Sequence, residues 1–226
     1  MPSSHASLDS ASRTIVVGDV HGCLDELFAL LAKCGAAPGD SVVLVGDVVA
    51  KGPDSQGVVQ WAREAGAHAV MGNHDAHVLR AVDGDPSVKG HHTKVAAQLG
   101  PADVRWLRDR PLWLRLPSAS PRVVVHAGLV PGVPVERQAR DHLLNLRSIT
   151  DDGKPSKRIE GTPWGALWLG PEEVVFGHDA VRGLQQHKHA TGLDTGCVYG
   201  RQLTALVLPA GELVSVPANR AYVQMK

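Results

Sequence analysis

Apolar residues in this chain come in short unbroken runs, separated by stretches with helical spacing. The first run, TIVV from Thr14 to Val17, is followed by a segment from Leu24 to Cys34 in which Leu24, Leu27, Phe28, Leu30 and Leu31 share one helical face. Gly35 then stands where a helix end favours a residue without a Cβ. The second run, SVVLV, leads into a helical stretch from Gly57 to Ala65, and AHAVM from Ala67 to Met71 reads as a third strand. Unbroken runs belong to strands covered on both faces, and the order βαβαβ predicts an α/β fold around a buried sheet. The second half differs: LWLRL, RVVVH, EVVFG, LTALVL and ELVSV are short strands, several close enough to pair as hairpins, so a mixed or antiparallel sheet is expected there. The Ala81–Gly100 and Thr150–Gly161 stretches read as exposed loops, and no internal repeat is present.

Bulk composition narrows this picture. A chain of 226 residues, 43% hydrophobic, can bury one sizeable core, so one domain from 14 to 226 is expected behind a polar, flexible tail at 1–13. The formal net charge is zero, which provides no global field for binding nucleic acid in bulk or a membrane surface. No signal-like segment and no run of about 18 apolar residues appears, so a cytoplasmic protein is expected. Cys23, Cys34 and Cys197 lie far apart without a CxxC spacing and read as small reduced core residues.

The chemistry sits at the ends of the strands. After the five runs come GDVHG (Gly18–Gly22), GD (Gly46, Asp47), GNHD (Gly72–Asp75), HAG (His126–Gly128) and GHD (Gly177–Asp179). Each is a polar residue of the Asp, His or Asn kind flanked by glycine. Ligand sites of α/β sheets lie at the carboxyl ends of strands, where glycine lets the backbone approach closely. Oxygen and imidazole donors without thiolates suit Mn²⁺, Fe, Zn²⁺ or Co²⁺, and a pair of such ions roughly 3.5–4 Å apart serves phosphoryl displacement. Asp47 is the natural bridging carboxylate. Neither a phosphate-binding glycine loop nor a serine nucleophile elbow is present.

These motifs in this order resemble the calcineurin-like metallophosphoesterases over nearly the whole chain after the tail. The resemblance implies a four-layer α/β/β/α sandwich of two mixed sheets and a centre of two divalent metal ions, Mn²⁺ foremost, with Co²⁺, Fe or Zn²⁺ as alternatives. It places Asp19, His21 and Asp47 on one ion and Asp47, Asn73 and His126 on the other, with the allocation of His178 left open. It makes His74 the leaving-group or phosphate-contacting histidine and Arg147 and Lys51 the phosphate-binding cations.

One position departs from the protein phosphatases of that family. Their second motif carries an aspartate that orients the catalytic histidine; here it is Ala50, followed by Lys51. Displacing an alkoxide needs a strong proton donor, whereas a nucleoside diphosphate leaves with little help. Ala50 therefore tilts the expectation from phosphoesters to phosphoanhydrides. GDVHGCLDEL, GDVVAKGPDS and GLDTGCVYGRQLTAL are similar to blocks of the symmetrical diadenosine tetraphosphatases, and NLRSI with GHDAVRGLQ is similar to the ApaH-like phosphatases. The resemblance implies symmetrical cleavage of diadenosine tetraphosphate to two ADP, with a Ser/Thr or Tyr protein phosphatase, or a hydrolase of capped RNA or polyphosphate, as alternatives. His91, His92, His187 and His189 read as surface or loop residues and His68 as a strand residue, while Trp164 and Trp168 suit either adenine stacking or the core.

Overall fold

A computed structural model describes residues 5–7, 13–117 and 121–225. Its strands are β1 (His5–Ser7), β2 (Thr14–Val17), β3 (Ser41–Leu44), β4 (His68–Ala69), β5 (Trp113–Leu116), β6 (Arg122–Val125) and β7 (Ser148–Ile149). The rest are β8 (Pro155–Ser156), β9 (Thr162–Pro163), β10 (Glu173–Phe176), β11 (Gln185–Gln186), β12 (Ala190–Gly192), β13 (Gln202–Leu208) and β14 (Glu212–Pro217). The helices are α1 (Leu24–Lys33), α2 (Ser55–Glu64), α3 (Asn73–Val82), α4 (His91–Gln98), α5 (Pro101–Arg108), α6 (Arg140–Asn145) and α7 (Trp164–Leu167).

Two mixed sheets carry the fold, in the orders β14-β13-β2-β3-β4 and β1-β5-β6-β10-β12-β11, beside a small β8-β7-β9 sheet. In the first, β2, β3 and β4 run parallel, joined through α1 and α2, and the β13–β14 hairpin returns from the end of the chain to pair antiparallel with β2. In the second, β6, β10 and β12 are parallel and β5 opposes β6.

Period-two alternation explains the unbroken apolar runs. Val16, Val43, Val124, Val175 and Leu206 point into the layer between the sheets. Their neighbours Ile15, Val17 and Leu44 face α1 and α2, while Val123, Val125, Val174 and Phe176 face Leu143, Trp164 and Trp168 on the other side. Both faces of each central strand are therefore dry, as a four-layer α/β/β/α sandwich requires.

Three expectations change. The Ala81–Gly100 stretch, read as a loop, contains α4: its sequence HHTKVAAQ has only Val95 buried, so packing against α3 rather than an apolar stripe holds it in place. Within the segment read as a tail, His5–Ser7 pairs in parallel with Trp113–Arg115; residues 1–4 and 8–12 lie outside the described residues. The strand read over Ala67–Met71 is limited to two residues, paired with Val43 and Leu44.

Trp164 and Trp168 are core residues rather than a stacking platform for adenine. Trp164 is 2% exposed, donates its indole N–H to the Ala127 carbonyl at 3.0 Å and packs on Phe176 with ring centroids 4.8 Å apart. Replacing it by alanine opens a cavity and leaves that carbonyl without its partner, so Trp164→Ala is expected to lower the unfolding free energy by about 3–5 kcal/mol. Urea denaturation measures this; a loss below about 1 kcal/mol would contradict the core assignment.

Candidate metal centre

The loops after β2, β3, β4, β6 and β10 converge on one place. Asp47 follows β3 and is buried. Its Oδ2 lies 3.4 Å from His21 Nε2, and its Oδ1 lies 3.5 Å from His126 Nε2. His21 uses Nδ1 to donate to the Val49 carbonyl at 3.2 Å, and His126 uses Nδ1 to donate to the Val45 carbonyl at 2.9 Å. In neutral rings, both Nε2 atoms then carry lone pairs, each facing a carboxylate oxygen of Asp47. Asn73 Oδ1 adds a third acceptor, 3.0 Å from His126 Nε2 and 3.2 Å from His178 Nδ1. Asp19 completes the group: both its oxygens lie 3.1 Å from the His178 backbone N–H.

This crowding is electrostatically unfavourable without a cation. Burial, and then Asp194 and Asp47, push the Asp19 carboxyl well above its usual range. Burial likewise raises Asp194 to about 6, even though the Gly196 N–H donates to it. Burial drives the His21 ring down to about 3 and lowers His126 and His178, so these imidazoles are neutral donors at physiological pH. His178 Nε2 is buried with no hydrogen-bond partner. Acceptors facing acceptors, with one nitrogen unpartnered, form a ligand set. Two sets of donor atoms, His21–Asp47–His74 and Asp47–His126–His178, each lie mutually within 4.8 Å and share Asp47; His74 stands at the cavity wall beside the first and is not among its expected ligands. The residues fit two divalent ions, with His178 grouped beside His126.

Backbone conformation serves the same arrangement. Every non-glycine residue with positive φ among the described residues belongs to these loops: His21, Asp47, Ala50, Lys51 and His178. Such conformations cost energy and persist where the surroundings enforce them. At Gly72 and Gly177 a Cβ would collide with the carboxylates of Asp47 and Asp19, respectively, which explains the glycines that flank these motifs.

The remaining expected residues line a cavity of about 530 Å³ over this centre, which includes His74, Lys51 and Arg147. Lys51 Nζ lies 3.1 Å from His21 Nε2 and donates to the Tyr199 hydroxyl at 2.9 Å. Arg147 is anchored by N–H bonds to the carbonyls of Lys157 and His178, at 3.0 and 3.1 Å. His74 donates its backbone N–H to Asp47 Oδ1 at 2.9 Å. Ala50 is wholly buried, and the neighbouring carboxylate of Asp75 accepts from the backbone N–H groups of Val49 and Gly72. His187 and His189 bond to Gln185 and Glu173 and belong to neither donor set, in keeping with their reading. Three residues were missed. Asp194 and Tyr199 lie in the GLDTGCVYG block, where an acid between Gly192 and Gly196 was a visible signal. His92 had none, because α4 was not legible. His91 is exposed, in keeping with its reading, but also lines the cavity, and half-buried His92 bonds to His74.

A family model described as calcineurin-like phosphoesterase matches residues 12–204. The chain belongs to this family and is a metallophosphoesterase, a hydrolase of a class that works with divalent metal ions. A protein of Enterobacter sp. (strain 638) named symmetrical bis(5'-nucleosyl)-tetraphosphatase is 40% identical, over 92% of this chain and 95% of its own length. The asymmetrical bis(5'-nucleosyl)-tetraphosphatase PrpE of Bacillus velezensis is 31% identical, over 92% and 93% respectively. A crystal structure of a protein provisionally named a diadenosine tetraphosphatase superposes with a TM-score of 0.88 at 39% identity, covering 96% of this chain and 98% of that one.

The pKa shifts set the pH dependence of the metal-stripped protein. His21, His74, His91, His92, His126, His178 and His187 have folded pKa values below the ordinary histidine value. Below about pH 6.5 the unfolded chain binds protons there that the folded chain does not, so these groups lose stability as pH falls. Asp19, Asp75 and Asp194 have raised values and act in the opposite sense, but they are three against seven. The melting temperature of the chelator-treated protein is expected to fall as pH is lowered from about 6.5 to 5. A rise over that interval would contradict the neutral-histidine assignment.

Proposed function

We propose that this chain hydrolyses phosphoanhydrides, cutting diadenosine tetraphosphate symmetrically to two ADP, with two Mn²⁺ ions held by Asp19, His21, Asp47, Asn73, His126 and His178. The observation that carries the reading is the Asp47 carboxylate, whose two oxygens each face a deprotonated imidazole nitrogen from a different sheet. A carboxylate in that position neutralises two cations at once. The oxygen-and-imidazole donor set supports Mn²⁺, and three buried free cysteines support a reducing, cytoplasmic setting.

When bound, the ions supply Lewis-acid charge and an activated water for in-line displacement. The protein groups do the remaining work. Arg147, already fixed by two carbonyls, presents its charge to non-bridging phosphate oxygens. The His21 Nε2 lone pair can serve only one partner, so an ion there would free Lys51 from His21 while the Tyr199 hydroxyl keeps its ammonium at the cavity, where it can meet phosphate. His74 stands at the wall of the cavity as a hydrogen-bond donor to the departing oxygen. With Ala50 in the second motif and both Asp75 oxygens held by backbone, the aspartate that orients the protein-phosphatase histidine has no counterpart here. A good leaving group, the terminal phosphate of ADP, suits that arrangement.

Relatives named for symmetrical and for asymmetrical cleavage both align along this chain, so product identity is the discriminating measurement. Chromatography of early time points is expected to show ADP as the main product. Equal ATP and AMP with little ADP would overturn the symmetrical reading and leave the metal centre intact. Asp47→Asn is expected to lose bound metal and at least about 10³-fold in kcat together; near-normal turnover with two ions bound would contradict the bridging role.

A further inference from the structure

His74 is held from behind. Its Nδ1 lies 2.8 Å from Nε2 of His92, with the two rings stacked at 22° and centroids 5.0 Å apart. His92 comes from α4, which packs on α3, the helix that begins at Asn73 and carries His74. His74 lines the cavity and His92 does not, so the contact reaches His74 from the side away from substrate. Two ring nitrogens sharing one tetrahedral zinc ion at 2.0–2.1 Å would stand about 3.4 Å apart; 2.8 Å is a hydrogen-bond distance.

No carboxylate among the described residues makes this contact. Asp75 bonds to the backbone N–H groups of Gly72 and Val49, and Asp47 Oδ1 takes the His74 backbone N–H. The other rings around His92 are His77 and His91, with centroids at 5.2 and 3.9 Å. A carboxylate could only accept from Nδ1, whereas an imidazole can donate to it. Which nitrogen of a neutral histidine carries the proton is set by the bond the other one makes.

Resting on the role of His74 given above, we propose that His92 is a positioning residue that donates Nε2–H to His74 Nδ1, placing the His74 proton on Nε2 and turning it towards the cavity. His74 then serves the departing oxygen as a neutral hydrogen-bond donor, and α4 is part of the catalytic apparatus rather than a surface appendage.

The test uses full-length protein loaded with Zn²⁺ for spectroscopy and with Mn²⁺ for kinetics. Variants are His92→Leu, which cannot donate, and His92→Gln, whose amide can. His92→Leu is expected to lower kcat on diadenosine tetraphosphate about tenfold with KM within about twofold, and His92→Gln to recover most of the loss. Long-range ¹H–¹⁵N correlation is expected to show His74 as the Nε2–H tautomer in the wild type and in His92→Gln, and as a mixture or the Nδ1–H form in His92→Leu. An Nδ1–H His74 in the wild type, unchanged kcat in His92→Leu, or equal damage in the two variants would overturn the proposal. A wild type that binds two ions but does not turn over the substrate would instead overturn the assignment of function, while the tautomer would still report on His92.

Discussion

Asp47 must be ionised and buried between two sheets, and most of the local structure follows from that constraint. An isolated carboxylate in such a place is strongly disfavoured. Burial opposes its ionisation, but the positive charge that His126, His74 and His21 would carry if protonated, together with Lys51, outweighs burial and holds its carboxyl well below the usual range. Those histidines are themselves pushed towards neutrality by burial, so the protein alone does not balance the group. Divalent ions would complete it. The left-handed residues at His21, Asp47 and His178 and the bare glycines at positions 72 and 177 are the means by which two sheets bring their loops onto one carboxylate.

The two-sheet architecture is what makes this approach possible. His21 and Asp47 come from the sheet containing β2 and β3, whereas His126 and His178 come from β6 and β10 of the other. The His126 Nδ1–H bond to the Val45 carbonyl crosses between them, so packing of the inter-sheet core fixes the ligand separation. Stability and chemistry are therefore linked: loosening that layer would move one ligand group relative to the other.

How much was legible in the sequence depends on where the information resided. The central strands were readable because Ile15–Val17, Val42–Val45, Val123–Val125 and Val174–Phe176 are unbroken apolar runs, and the candidate metal-site residues because they follow such runs beside a glycine. The placement of β13–β14 on the first sheet was not readable, since it is a pairing across nearly the whole chain. Nor was α4, whose polar sequence becomes helical through its contact with α3, and with it went His92. Trp164 and Trp168 illustrate a third case, in which spacing allowed two roles and only burial decided between them.

The central claim is that one chain holds two ions about a shared carboxylate. Native mass spectrometry of the chelator-stripped wild-type chain titrated with Mn²⁺ tests it directly. The account expects saturation at two ions per chain, whereas saturation at one ion, or no retained metal, would contradict it.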